Sequence, residues 1–128
     1  MPQHFSKTIS STFEDGLSRT KDGLEWEGFG VLTDIDFSAT LKEQLDVNFQ
    51  NYRILGACNP SLACQALKAN KKIGAMLPCN IIVQERAEGY IEVSTVDPAE
   101  TLNIVGNPDL AAITEEVRSR LKSVVKGL

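Results

Sequence analysis

One histidine, one tryptophan and three cysteines without a CxxC pair make this a chain poor in the residues that most often carry chemistry. Ser-His-Asp and Cys-His mechanisms need an imidazole held beside the nucleophile, and the single candidate, His4, sits near a terminus where little fixes its position. An odd set of cysteines, Cys58, Cys64 and Cys79, argues against both a disulfide framework and a tetrahedral zinc site, so free thiols are expected. No GxxxxGK[ST] phosphate loop occurs. Gly28-Phe29-Gly30 is followed by Thr33 where a dinucleotide fingerprint requires glycine. Positive charge is also short: 13 Lys and Arg stand against 17 Asp and Glu, giving a net charge of −4. Lys71-Lys72 and the pair Arg118 and Arg120 read as solvated helix edges, so nucleic acid is excluded as a partner. The longest uncharged apolar stretch, 73–83, is broken by Pro78 and Asn80 and falls short of the roughly 20 residues of a membrane span. Met1 to Lys7 show no basic segment leading into an apolar run, and the expected location is the cytoplasm.

What remains is an ordinary globular composition, 42% apolar over 128 residues, without repeats or long linkers. A chain of this length buries roughly two thirds of its unfolded surface, enough for a core without staples, and residues 1–128 read as one domain. Alternation predicts a strand over 5–10. Phe13, Leu17, Thr20 and Leu24 recur at helical spacing behind a Ser11 or Thr12 cap, with Gly28 as the stop. Gly16 and Gly23 lie beside that stripe and point either to a close approach or to tolerated glycine. A second strand over 29–37 carries Phe29, Val31, Ile35 and Phe37 on one face and Leu32, Asp34 and Asp36 on the other. Short helices over 38–45 and 60–70, the latter entered through Asn59-Pro60, flank a third strand over 52–58. Strands over 80–86 and 90–96 form a hairpin through Ala87-Glu88-Gly89. Leu110, Ile113, Val117, Leu121 and Val124 then mark an amphipathic helix from Asn107-Pro108. The sum is an α+β fold, β-α-β-β-β-β-α with two short inserted helices, whose mainly antiparallel five-stranded sheet carries its long helices on one face.

Three phrases, Gly28-Phe29-Gly30-Val31-Leu32-Thr33, Ile54-Leu55-Gly56-Ala57-Cys58-Asn59-Pro60 with Ala63 and Leu67, and Met76-Leu77-Pro78-Cys79-Asn80, resemble the bacterial domain of unknown function 302 over nearly the whole chain. The resemblance implies a small α+β domain related to one half of the TATA-binding-protein fold, associated as a dimer, and implies no reaction. Shared architecture with a DNA-binding fold does not transfer that function, because this chain lacks the basic surface.

The residues give their own reason for a homodimer. If helices cover one sheet face, Leu32, Leu55 and Ile82 are expected on the other, each worth about 1.5–3 kcal/mol when buried. A two-fold self-contact would cover them; the inserted helices could instead do so within one subunit.

Chemistry concentrates on one candidate rim. Cys58 ends the third strand before a helix cap and Cys79 opens the fourth, so antiparallel pairing brings both to one edge of the sheet. A helix N-terminus lowers a nearby thiol pKa, which would suit a reversible disulfide, a soft metal ion or a sulfur-containing ligand. The competing reading is two buried thiols that close a loop. Asn59 and Asn80 read as a helix cap and a strand-start hydrogen-bonding residue with access to a ligand at that rim. Cys64 is filler between helix and sheet, and Asp34 with Asp36 lacks the further oxygen ligands a hard cation needs. The expected function is a non-catalytic, homodimeric domain that binds a small ligand or a partner, with no catalytic residue, cofactor or metal assigned. The alternative is a thiol-dependent redox or sulfur-handling protein using Cys58 and Cys79.

Overall fold

The computed structural model describes residues 4–76, 78–102 and 108–128. Among them β1 (His4–Ser10), β2 (Gly30–Asp36), β3 (Tyr52–Cys58), β4 (Cys79–Ala87) and β5 (Tyr90–Val96) form one antiparallel sheet in the order β1-β5-β4-β3-β2. The long helices α1 (Phe13–Trp26) and α5 (Ala111–Lys126) pack on the same face of it. Two inserted helices, α2 (Phe37–Leu45) and α3 (Pro60–Ala69), stand where the sequence places them. A third, α4 (Pro98–Leu102), follows β5, and 3-10 turns precede β4 and α5.

Local chemistry explains the helix boundaries. Thr12 Oγ1 accepts from the Asp15 N–H at 3.2 Å, satisfying one of the free donors of the first turn of α1. The stripe Phe13, Leu17, Thr20 and Leu24 is buried, and the Thr20 hydroxyl donates back to the Gly16 carbonyl at 2.8 Å. The two glycines of α1 differ: a Cβ on Gly16 would crowd Ile91 of the sheet at 3.1 Å, whereas one on Gly23 would make an ordinary contact with Val124 of α5 at 3.4 Å. Val117, Leu121 and Val124 of α5 complete the core with Leu55, Ile81, Val83, Ile91 and Val93 of the sheet. Asn107, expected at the start of α5, lies outside the described residues. At the other end of α5, Lys7 donates to the carbonyl oxygens of Lys126 and Leu128, placing a cation at the negative end of that helix.

Two strands depart from the sequence reading. β2 carries a bulge: Val31 pairs with Ala57 but Thr33 pairs with Gly56, so Leu32 is the extra residue. Every side chain after it changes face. Asp34 and Asp36 move to the helix side, Ile35 turns to the bare side, and Leu32 itself is 65% exposed. Leu55, expected on the uncovered face, is 0% exposed because its register partner Ile81 faces the helices; Ile54 takes the open position. Cys64 is exposed, not filler, since Ala66 is the buried residue of α3.

Candidate functional site

The face of the sheet that the helices do not cover is built in rows by the register. Ile35, Ile54, Ile82, Ser94 and Ser6 lie side by side across the five strands. The next row is Tyr52, Gln84, Glu92 and Thr8. In these two rows the side chains are apolar on β2 and β3 and polar on β5 and β1, while β4 presents both Ile82 and Gln84; Tyr90 and Val96, on the same face of β5, are exposed at its two ends. Phe37 and Phe49 extend the apolar half, with ring centroids 6.2 and 6.0 Å from that of Tyr52, the latter edge to face. Gln84 marks the border, accepting from Gln50 at 2.9 Å and donating to Glu92 at 3.2 Å. Among the described residues ten large hydrophobic side chains are exposed, and six of them, Leu32, Ile35, Phe37, Leu45, Val47 and Phe49, fall in residues 32–49.

At the rim, Thr33 crosses over Gly56. A methyl group there would overlap Thr33 Oγ1 and stand 2.9 Å from Pro78, so this position requires glycine for close approach. Cys79 pairs directly opposite Ala57, one residue from Cys58, so both cysteines stand at one edge of the sheet. Strand alternation sends them to opposite faces: Cys79 packs against the helix-side core, and Cys58 leaves on the other. Burial pushes the Cys58 thiol up, and burial followed by the nearby Cys58 pushes Cys79 up to about 11. Desolvation thus outweighs the helix dipole, the reverse of the activation the sequence suggested. Asn59 caps α3, its Oδ1 accepting from the Leu62 N–H at 3.2 Å. It is buried against Gly28, whose φ of +86° favours glycine and where a Cβ would stand 3.0 Å from both Asn59 Nδ2 and Arg120 Nη1. Asn80 is exposed, and its backbone carbonyl accepts from Thr95 Oγ1 at 2.9 Å.

The charged residues are largely committed to structure. Burial disfavours the charge on Asp34, but hydrogen bonds from Lys21 at 2.8 Å and Arg53 at 3.1 Å outweigh it and hold the carboxyl below its ordinary value of 3.8. Asp36 is also held low, first by the Ala39 N–H it caps and then by the Ser38 hydroxyl. Arg118 reaches the buried Asp97 at 2.8 Å and lies over the Phe5 ring, while Arg120 pairs with Glu116 and donates to the Glu27 carbonyl. Among the described residues no three His, Cys, Asp or Glu side chains come together as a metal-binding group, and no helix is long and apolar enough to cross a membrane.

Ile54, Tyr52, Phe37 and Phe49 were missed as members of the open face. Both parities of β3 are apolar, so alternation alone could not choose its helix side; the adjacent Ile54-Leu55 pair was the available sign that both faces carry grease.

One sheet, one layer of long helices and a bare opposite face define the class: a small α+β two-layer domain. Within that class, the chain belongs to the family described as domain of unknown function DUF302, whose model matches residues 5–128. It is similar to the crystal structure of an uncharacterized conserved protein DUF302 from Bacillus stearothermophilus, with 27% identity, a TM-score of 0.87 and coverage of 96% of this chain and 95% of that one. A search of curated proteins finds no match.

Proposed function

We propose that this protein is a non-catalytic binding domain that works as a homodimer, joined through the apolar half of its open sheet face. The observation that carries this reading is the row Ile35, Ile54 and Ile82 continued by the Tyr52, Phe37 and Phe49 rings, of which Ile35, Phe37 and Phe49 are exposed. A contiguous patch of that kind is unusual on a monomer and marks an interaction site. A second copy is the simplest occupant, because a two-fold axis lets one patch cover its own image. The polar strip Ser6, Thr8, Glu92 and Ser94 would then form the wet margin of the contact. The element order also supports kinship with one half of the TATA-binding-protein fold, while a net charge of −4 speaks against use of the face on nucleic acid. Raised thiol pKa values weigh against the redox alternative.

Sedimentation equilibrium tests the proposal. The wild-type chain should run as a dimer, and Ile54→Glu or Ile82→Glu should run as a folded monomer with an unchanged circular dichroism spectrum. A wild-type chain that stays monomeric at high micromolar concentration would rule the homodimer out.

A further inference from the structure

On the opposite side of the molecule from the open sheet face, α1 and α5 frame a groove of about 410 Å³. Its walls include Asp22, Gly23, Trp26 and Glu27 from the α1 side and Val124 and Gly127 from the α5 side. Gly23 and Val124 meet across the groove, where a Cβ on Gly23 would stand 3.4 Å from Val124. Trp26 is the only tryptophan of the chain and is 88% exposed, leaving a large aromatic face without intramolecular cover.

The charges around that ring have one sign. Asp22 lies one turn before Trp26 on the same side of the helix, Glu25 precedes it and Glu27 follows it. None of the three carboxylates has an ion pair among the described residues. They also stand at the negative end of the α1 dipole, where the last turn contains no basic residue, so helix stability does not account for them. Arg120 donates to the Glu27 carbonyl but spends its charge on Glu116. Arg19 lines the same groove one turn before Asp22, which leaves Glu27 and the ring at the far end, about 10 Å of helix axis away, without a cation among the described groove residues.

We propose that this groove docks a basic, Lys- or Arg-containing segment of a partner protein. A long cationic side chain satisfies both features together. Its methylenes lie along the Trp26 ring and Val124, and its charge meets the ring face and the groove carboxylates of Asp22 and Glu27. An acidic segment would be repelled, and a purely apolar one would desolvate unpaired carboxylates. The groove and the open face are on opposite sides of the sheet, so homodimer formation and this docking succeed or fail separately.

Trp26 supplies its own reporter. Titration with an N-acetylated, C-amidated tetra-arginine peptide should give a saturable change in tryptophan fluorescence, weakened severalfold when salt rises from about 0.05 to 0.3 M. By calorimetry, Trp26→Ala and the pair Asp22→Asn with Glu27→Gln should each weaken binding by about fivefold or more. Asp22 and Trp26 are exposed and Glu27 is half-buried, and the variants should keep the wild-type melting temperature within a few degrees. The proposal is overturned by no saturable signal at millimolar peptide, by variants that bind like wild type, by a tetraglutamate peptide that binds equally, or by spermine binding as tightly as the peptide, which would assign the groove to small polyamines.

Discussion

Ile81 and Ile82 are adjacent in β4, yet one is sealed beneath α1 and α5 and the other stands on the bare side of the sheet. The same contrast runs across the whole molecule. The helix side is filled by Leu55, Val83, Ile91 and Val93 at no measurable exposure, whereas the other side keeps Ile35, Phe37 and Phe49 in contact with solvent. β3 is apolar on both sides, with Tyr52 and Ile54 on one and Leu55 and Ala57 on the other; cover is what differs. The helix side is therefore where the monomer gets its stability, and the open side is where apolar area remains for association.

The largest expected effect is on the sealed side. Ile81→Ala should cost about 2–5 kcal/mol in urea denaturation, while Ile82→Ala should cost under about 1 kcal/mol in a monomeric sample and act mainly on the dimer. Equal losses from the two variants in the monomer would mean that the sides are not different after all. The cysteines sharpen the same contrast. Cys79 on the sealed side, with its thiol near 11 against an ordinary 9.0, should hold roughly a hundredfold less thiolate at neutral pH than a free thiol, and should alkylate after both Cys58 and the exposed Cys64. Because folding favours the protonated thiol, stability should be intact below pH 9 and decline as pH rises toward 11, a slope that Cys79→Ala makes shallower. Alkylation followed by mass spectrometry from pH 7 to 11 checks the order of reaction.

At the rim of the open side, Gly56→Ala should cost about 1–3 kcal/mol, because Thr33 crosses above it, and Thr33→Ala in the same chain should restore part of that loss. Full additivity of the two changes would show that the crossing is not the cause. The smallest effect belongs to Asp34 at the helix-side margin. Its depressed pKa means that ionised Asp34 contributes stability above 3.8 and loses that contribution as pH falls through the folded-state value. Asp34→Asn should cost under about 1 kcal/mol at pH 7 and flatten the acid end of the stability curve. A variant with an unchanged acid limb would show that Lys21 and Arg53 do not bind it appreciably.

Much of the architecture was legible because its signals are local. β3 occupies the predicted residues, Thr12 and Asn59 cap the helices expected of them, and the α5 stripe is buried as its spacing requires. The bulge at Leu32 was not legible: neither glycine nor proline marks it, and one extra residue reversed the faces of Asp34, Ile35 and Asp36. Leu55 was misplaced for a related reason, since a strand apolar on both parities does not announce which one meets the helices. The thiols at the rim depended on a competition between a helix dipole, visible in the sequence, and desolvation, which exists only after packing.

By itself, the sequence determined the five strands, the two long and two inserted helices, their order, the antiparallel sheet and the one-sided layer of long helices, because periodicity, caps and turn residues act over a few positions along the chain; α4 carries no such signal and was not among them. Tertiary structure decided which side of β2 and β3 is sealed, that Trp26 remains bare beside a groove, and that the thiols stay protonated. Those outcomes depend on register and burial, which are set by contacts between residues far apart in sequence.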